Sequence, residues 1–370
     1  MAFAVEDGGV VETAAKTIPI LLQTVDLTTY PEGGELVAGL PNRVYLSAFT
    51  PAQKPADLAG EIVDGDGTPV ATFRTEHEGR GRFTFTPKAG QKYTLKITEP
   101  SGIKTTYPLA EVKPQGAVLS SVEDVTKTDE PVALTVGSST PGPLKVTLRQ
   151  REVEVAAKTV DVSAGKPVRV ELPVPKSADG TLTATLWDAQ GKPLAERLVF
   201  RQPAESLSIS ITPDRERYVP GGQAKVKIKT TDAAGKPVSA VVGLTVPDDS
   251  VLEMIEKREQ APRLPVMVFL KNEVQDLADA HVYLDPNNPE APLAVDLLLG
   301  TQGWRRFAFL NVAEFLAQHG NDARTVLALT MPTMRDQRRM LFLAEGMDRF
   351  GGVPGNPPAP VAAPFRGVAQ

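Results

Sequence analysis

Alternation of hydrophobic and polar residues is clearest between residues 206 and 249. Leu207, Ile209 and Ile211 alternate with serine and threonine, and a second run after a Pro-Gly-Gly turn alternates apolar residues with lysines. A third alternating run, at residues 240–246, follows another glycine- and proline-containing turn. Period-two alternation predicts strands with one buried face, as in an antiparallel sheet that packs on one side.

The same alternation recurs through the first two hundred residues. One set of alternating runs lies within residues 19–113 and a second set within residues 114–203. Turn signals rich in glycine, proline and aspartate separate runs that are spaced by roughly 8–12 residues. We therefore predict an all-β fold of tandem antiparallel β-sandwich domains of the immunoglobulin-like kind.

The pattern becomes helical after residue 250. Ser250 and Glu253 have the spacing of a helix capping box, and residues 267–279, 293–302 and 311–318 carry apolar residues at helical spacing.

These patterns divide the chain. They predict a third β-sandwich over residues 204–345, with a helical insertion at about residues 250–302. Residues 1–18 are predicted to be a flexible lead. Residues 346–370, which are rich in glycine, proline and alanine, are predicted to be a disordered tail.

Composition narrows the function without naming one. The chain has 370 residues, which fits two to four domains, and 41% of them are hydrophobic. Its net charge of −5 and scattered basic residues argue against nucleic acid as a partner. It contains no cysteine, which excludes disulfides, thiol nucleophiles and zinc–thiolate sites.

The first residues show neither a basic start nor an apolar run of signal-peptide length, and the sequence has no segment long and apolar enough to span a membrane. Either the protein is cytoplasmic or this sequence is an internal piece of a longer secreted chain. A short polar lead followed at once by strand patterns favours the second. We therefore expect an extracellular or periplasmic location.

Two motifs resemble metal or acid–base sites, and each has a plainer interpretation. Asp64-Gly65-Asp66-Gly67 begins like a calcium loop, but the last position of that pattern is Thr75 rather than glutamate, so a hairpin turn is favoured. His77 lies between two glutamates, but the other histidines are distant in the sequence. We therefore interpret this region as a solvated loop, and predict no metal and no cofactor.

Three further groups carry candidate chemistry. Asp248 and Asp249 could be paired carboxylates, but they directly precede a predicted helix start, where acids stabilise the helix dipole. Together with His281 they are the candidates for an enzyme. Trp304, Arg305 and Arg306 have the composition of a protein-contact hot spot. The alternative is that the tryptophan anchors the insertion and its arginines are solvated.

One region resembles the macroglobulin-like domains of the α2-macroglobulin family, especially of bacterial members. The resemblance is carried by Tyr218-Val219-Pro220-Gly221-Gly222, by residues 232–238 (Asp-Ala-Ala-Gly-Lys-Pro-Val) and by the strand that ends at residues 246–250. Residues 297–307 and 30–34 resemble neighbouring runs in those proteins. The resemblance implies β-sandwiches in a row, a secreted scaffold, and a whole protein that traps proteases through a bait region. The reactive thioester of that family needs a cysteine, so it cannot lie in this chain.

Taken together, these features predict a non-enzymatic scaffold that binds proteins. The resemblance to macroglobulins implies that these partners include proteases, which the parent protein would trap. The alternative is a cell-surface adhesion or carbohydrate-binding array of β-sandwich domains. That alternative predicts aromatic residues exposed on one face, and a glycan array with saturable binding would favour it.

Overall fold

The computed structural model describes residues 2–7, 10–15, 23–151, 153–205, 207–219, 221–247, 254, 262–274 and 277–302. Nearly all the regular structure in these ranges is β, arranged in antiparallel sheets. The fold class predicted from the alternation, tandem antiparallel β-sandwich domains, is confirmed. The domain boundaries predicted from composition stay predictions.

The first residues form two paired strands, and the flexible lead predicted over residues 1–18 stays a prediction. β1 (Ala2–Asp7) pairs antiparallel with β2 (Val10–Ala15), and Asp7 lies opposite Val10. Alternating apolar residues flank Gly8-Gly9 in the sequence, which is the turn chemistry that a two-residue hairpin connection favours.

The first sandwich folds one long sheet around a single core. Its strands are β3 (Asp26–Pro31), β4 (Leu36–Val37), β5 (Asn42–Phe49), β6 (Ala59–Val63), β7 (Pro69–His77), β8 (Arg80–Phe85), β9 (Thr94–Glu99), β10 (Thr106–Pro108) and β11 (Val112–Lys113). The sheet order is β10-β9-β6-β7-β8-β5-β3, and β4 pairs parallel with β11. Leu46, Ile62 and Leu95 are completely buried between its two halves. The predicted turn at Asp64 is confirmed, because its carboxylate accepts backbone hydrogen bonds from Asp66 and Thr68.

The second sandwich consists of two facing sheets. Its strands are β12 (Ala117–Ser121), β13 (Val132–Ser138), β14 (Gly142–Gln150), β15 (Val153–Val162), β16 (Val168–Leu172), β17 (Gly180–Trp187) and β18 (Pro193–Arg201). One sheet has the order β12-β13-β16 and the other the order β15-β14-β17-β18. Leu134 from the first sheet and Val146 and Leu186 from the second are completely buried between them.

The stretch with the clearest alternation forms only a two-stranded ladder. β19 (Ser208–Pro213) pairs antiparallel with β20 (Val226–Thr231). The predicted third strand at residues 240–246 does not form, because pairing with β20 ends at Val238. The predicted buried face is exposed: Ile209 and Ile211 keep 51% and 59% of their accessible surface.

Two helical segments follow, and they pack on the two sandwiches. α1 (Leu264–Val266) continues as one π-helical turn (Met267–Lys271), which is much shorter than the helix predicted over residues 267–279. α2 (Ala291–Gly300) confirms the helix predicted at residues 293–302 and begins two residues earlier. Neither helix among the described residues is long and apolar enough to cross a bilayer.

The apolar side of these helices is buried against the outer face of β18. Leu198 and Phe200 of β18 share a cluster with Val266, Leu270, Tyr283, Leu298 and Leu299. The insertion that the sequence assigns to a third domain therefore extends the second sandwich, and α2 also contacts β7 and β8 of the first. This placement brings a helix next to both sandwiches at once.

Candidate functional site: a buried ionic junction

Charged side chains meet where α2 contacts both sandwiches. We call this group the ionic junction; its members are Glu32, Arg43, Tyr45, Arg82, Asp124, Arg197 and Asp296. It contains three arginines and three carboxylates, so its formal charges balance. Charges that leave water are tolerated only when they are paired and hydrogen-bonded in this way.

Strand alternation positions the part of the junction that lies on the first sandwich. Val44 and Leu46 point into the core of that sandwich, so Arg43 and Tyr45 lie on the opposite face of β5. Arg82 of β8 lies directly opposite Tyr45 in the ladder. One face of the sheet thus presents two arginines and a tyrosine to α2.

Asp296 is the centre of the junction, and it is 1% exposed although it lies in a helix of leucines and alanines. Its Oδ2 accepts a hydrogen bond of 2.9 Å from the Tyr45 hydroxyl and a contact from Arg82 Nη1. Its Oδ1 accepts a hydrogen bond from Arg197 Nη2. A single carboxylate therefore binds side chains from three strands, two in the first sandwich and one in the second.

Arg197 pairs with Asp296 and also with a second buried carboxylate, that of Glu32. Its Nε lies 2.9 Å from Glu32 Oε1, and its guanidinium carbon lies 4.8 Å from the centre of the Tyr45 ring. Glu32 also accepts a backbone hydrogen bond of 3.0 Å from Ser121, on the second sandwich, and lies 3.5 Å from Arg43 Nε. Glu32 and Arg197 thus join the two sandwiches directly.

The outer edge of the junction is more exposed. Arg82 Nη1 and Nη2 contact the two oxygens of Asp124, the second of these distances being 3.2 Å, and both side chains keep more than a quarter of their surface. A bidentate arginine–carboxylate pair of this kind adds geometric specificity. Arg82 therefore links Asp296 inside the junction to Asp124 at its rim.

The environment sets the protonation of these groups. Burial raises the pKa of Tyr45 well above its ordinary value, so the phenol keeps its proton and its hydroxyl donates a hydrogen bond to Asp296. Burial alone would lower the pKa of Arg197, but Tyr45, Asp296 and Glu32 outweigh it and raise that pKa. Burial raises the pKa of Glu32, while the guanidinium groups of Arg197 and Arg43 oppose this change.

Glycines allow the backbones to approach closely around the junction. A Cβ on Gly300, at the end of α2, would lie 2.3 Å from the Tyr45 ring. Gly33 has a φ of +84° and a backbone that pairs with Glu196 of β18, and its Cβ would lie 3.2 Å from Ala195. Any side chain at Gly300 would push α2 away from the tyrosine that its aspartate must reach.

A second group of titratable residues lies between the first sandwich and the helical region. His77 Nε2, at the end of β7, lies 3.5 Å from Asp279 Oδ2, and His281 Nδ1 lies 3.0 Å from Asp279 Oδ1. The His77 ring meets the edge of the Tyr283 ring at 5.6 Å. The interpretation of His77 as a solvated loop residue is wrong, because its side chain is only 16% exposed.

The burial of His77 has an electrostatic consequence. Burial lowers the pKa of His77, which Asp279 and Glu78 oppose and Arg80 and His281 reinforce. Asp279 has a φ of +59°, a left-handed conformation that costs free energy for a residue other than glycine. In the described part of the chain, no cluster of three or more histidines and acids has a geometry that could hold a metal ion.

The other sequence-derived candidates are not brought together here. Trp304, Arg305 and Arg306, the predicted protein contact, lie outside the described residues, as do Asp248 and Asp249. His281 is described, and it pairs with Asp279 rather than with either of those acids. Sequence reasoning missed the ionic junction. Its available signals were an aspartate among leucines in α2 and the presence of arginines within the strands β8 and β18.

A groove remains open on the outer face of the second sandwich. It has a volume of about 580 Å³ and runs beside Trp187, whose Nε1 donates a hydrogen bond of 2.8 Å to Thr147. Lys145, Arg149 and Glu154 also line it. A partly exposed tryptophan, held by its own hydrogen bond, is a flat surface on which a ring could stack.

No family model matches the chain, and no curated protein matches it either. Solved structures that resemble it include the native conformation of Escherichia coli α2-macroglobulin (12% identity, 63% of this chain and 19% of that one, TM-score 0.20). Salmonella α2-macroglobulin reacted with methylamine is similar to the same degree (12%, 61% and 20%, TM-score 0.22). The Escherichia coli adhesin FdeC is similar as well (14%, 61% and 78%, TM-score 0.21).

The chain spans about a fifth of the length of the macroglobulins that it resembles. Macroglobulins and adhesins stand at the same level of similarity. Because identities and TM-scores are this low, these likenesses assign neither a family nor an activity to the chain.

Replacing Arg197 with methionine should destabilise the protein by about 3–5 kcal/mol, because Glu32 and Asp296 would lose the buried guanidinium group that pairs them. Urea unfolding measures the change. The matched control is Arg169→Met, which breaks a half-exposed pair with Glu171 and should cost about 0–1 kcal/mol. The triple variant Glu32→Gln, Arg197→Met, Asp296→Leu should recover much of the loss. A triple variant as unstable as the single one would attribute the cost to packing instead of charge.

Acidification should destabilise the wild-type protein through His77. Because the folded pKa of His77 lies below its ordinary value of 6.5, the unfolded chain takes up the proton first. The contribution of His77 to stability is therefore present above pH 6.5 and is lost as the pH falls towards the lowered folded pKa. Glu32 acts with the opposite sign, since its folded pKa is raised and its contribution is lost as the pH rises.

A comparison of two proteins isolates the histidine from the other titrating groups. The free energy of unfolding should fall less for His77→Gln than for the wild type between pH 7 and pH 5, measured by urea unfolding at each pH. His319, which lies outside the described residues, provides the control variant His319→Gln. Parallel pH curves for the wild type and His77→Gln would contradict the prediction.

Proposed function

We propose that this chain is a rigid, non-enzymatic β-scaffold that binds protein partners. The observation that carries the proposal is the ionic junction. It ties α2 to strands of both sandwiches through one buried carboxylate, Asp296. Buried ion pairs add little to net stability compared with apolar packing, but they favour one geometry over others. A fixed orientation of two sandwiches is what a scaffold requires.

Other contacts between the sandwiches support the same interpretation. Val37 and Leu40 of the first sandwich form a buried cluster with Val118 of the second. Only Pro114, Gln115 and Gly116 separate β11 from β12, so the connection is short. The backbone of Gly33 pairs with that of Glu196. Apolar packing, a short connection and buried charges together leave little freedom for one sandwich to turn against the other.

The finer part of the proposal concerns the parent protein. The motifs at residues 218–222 and 232–238 support a macroglobulin-like protein, in which this piece would contribute to the trapping of proteases. The same motifs support an extracellular or periplasmic location for the parent chain. Trp304, Arg305 and Arg306 remain the proposed contact with a protein partner.

A second candidate function is adhesion through carbohydrate. The groove beside Trp187 favours it, because saccharide rings stack on flat aromatic surfaces while neighbouring charged groups bind their hydroxyls. Lys145 and Glu154, whose charged ends lie 3.8 Å apart, could serve as donor and acceptor there. One tryptophan in the described residues is a smaller aromatic surface than a carbohydrate array predicts, so we place this candidate second.

Spin labels test the rigid scaffold directly. The chain has no cysteine, so a variant with Asp66→Cys and Gln190→Cys takes labels at only two exposed positions, one on each sandwich. We expect pulsed electron paramagnetic resonance to give one narrow distance distribution. Adding Arg197→Met should broaden it, whereas adding Arg169→Met should not. A broad distribution in the otherwise unchanged protein would overturn the scaffold proposal.

Two assays separate the trap from the adhesin. A steric trap should reduce the activity of several unrelated proteases on a large protein substrate while leaving cleavage of a small peptide substrate intact. Carbohydrate adhesion should instead give saturable binding on a glycan array, and Trp187→Ala should abolish it. Unchanged protease activity on both substrates, together with saturable glycan binding, would favour the second candidate over the first.

A further inference from the structure

The segment from residue 207 to residue 246, which contains the hairpin of β19 and β20, exposes much apolar surface, and Ile209, Ile211 and Val226 are the exposed members on the two strands. Of the seventeen large hydrophobic residues that are exposed in the described ranges, eleven lie between residues 207 and 246. Both sandwiches have buried cores of their own, so this concentration does not reflect a generally loose fold. Exposed apolar surface that is gathered in one segment marks an interaction site.

The ladder sorts its residues onto two different faces. Ile211 pairs with Ile228 and Pro213 with Val226, so these four residues lie on one face together with Ile209. We call this the apolar face. The opposite face carries Ser210 paired with Lys229, and Thr212 paired with Lys227. The hairpin is therefore apolar on one side and basic on the other.

The charge of the segment differs in sign from that of the chain. Residues 207–247 contain six basic residues and three acidic ones, a net charge of +3, and the alternating stretch 206–249, which also includes Asp248 and Asp249, has a net charge of +1, whereas the whole chain has a net charge of −5. The basic residues are Arg215, Arg217, Lys225, Lys227, Lys229 and Lys236, and the acidic ones are Asp214, Glu216 and Asp232. A basic segment on an acidic protein attracts an acidic partner at long range.

β19 also presents a backbone edge. Every residue of β19 is exposed, and within the described ranges this strand pairs only with β20. The other side of the ladder is partly occupied, since Thr231 bridges to Pro237 and Val238 donates a backbone hydrogen bond to Thr230. In the described part of the chain, nothing pairs with the outward backbone groups of β19, so they can accept a further strand.

We infer that the hairpin is a docking site for one extended segment of a partner protein, which adds to the edge of β19 as a strand. The segment would alternate apolar and acidic residues. Its apolar side chains would continue the apolar face, and its backbone would pair with β19. Its acids would lie on the basic face beside Ser210 and Thr212, separated by β19 from Lys227 and Lys229, which attract them across that strand. This inference rests on the proposed protein-binding function and names the chemistry of the partner.

A strand of that composition fits the surface better than a nucleic acid does. A phosphate backbone would use the lysines of one face and leave Ile209, Ile211 and Val226 in water. An alternating strand uses both faces and the edge at the same time. Its choice of faces is also fixed, because a shift by one residue would place acids on the apolar face.

Binding can be measured with a defined probe. A fluorescent peptide that alternates valine and glutamate, matched in length to β19, should bind the full chain in an anisotropy titration, and the affinity should fall as salt increases. A peptide that alternates valine and lysine is the charge-reversed control, and it should bind at least roughly tenfold more weakly. A single-stranded oligonucleotide tests the alternative partner.

Variants on the two faces separate the contributions. Lys227→Glu together with Lys229→Glu should reverse the preference, so that the lysine peptide binds better than the glutamate peptide. Ile211→Thr should weaken the glutamate peptide by roughly tenfold, about 1.4 kcal/mol. Val153→Thr is the matched control, since Val153 is a 66% exposed valine on a strand of the second sandwich, and it should leave binding unchanged. All these substitutions are at exposed positions.

Each outcome bears on the inference. Equal binding of both peptides, loss of binding in Val153→Thr, or tighter binding of the oligonucleotide would overturn it. Light scattering that shows a dimer, lost in Ile211→Thr, would assign the surface to a second copy of the chain instead. The spin-label distances are measured on other residues, so failed binding with a narrow distribution would sink this inference and leave the scaffold intact.

Discussion

Burial of the Asp296 carboxylate is the constraint on which the arrangement depends. A carboxylate in the middle of an apolar helix can leave water only if several donors replace its hydration. Tyr45, Arg82 and Arg197 supply those donors from three different strands. If either sandwich moved away, the Asp296 carboxylate would lose at least one hydrogen-bond donor and its charge would be buried without full compensation. The contacts of Asp296 on α2 therefore restrain the positions of both sandwiches relative to the helix.

The junction is organised so that each charge restrains more than one element. Arg197 reaches Asp296 on α2 and Glu32 on the first sandwich, and Glu32 in turn accepts from the backbone of Ser121 on the second. Apolar contacts at Val37 and Leu40 would tolerate small rotations, since they have no preferred direction. Directional charge pairs do not tolerate such rotations. Apolar packing therefore holds the two sandwiches together, and the ionic junction fixes the angle between them.

Local pattern predicts much of the fold and little of the site. Alternation at Leu144, Val146 and Leu148 predicts β14, and apolar spacing with a terminal glycine predicts α2, because both signals are set by neighbouring residues. The Tyr45–Asp296 contact joins residues 251 positions apart, and no periodicity encodes it. No periodicity encodes the grouping of His77 and His281 either. They are about two hundred residues apart in the sequence, and both contact Asp279. Gly8 and Gly9 carry a local turn signal of the same kind.

The hairpin shows where an inference from alternation stops. The alternation of Ile209 and Ile211 with serines correctly sorts the two faces of β19, because side-chain direction follows from strand geometry alone. Which surface covers the apolar face depends on distant parts of the chain or on another molecule. In the sandwiches that cover is the facing sheet, and on β18 it is the helices. At β19 the described residues supply no cover, and the basic opposite face selects for a partner whose charge is negative. The same sequence rule thus yields a core where a second sheet covers the apolar face, and at β19 it yields the exposed face on which the proposed docking rests.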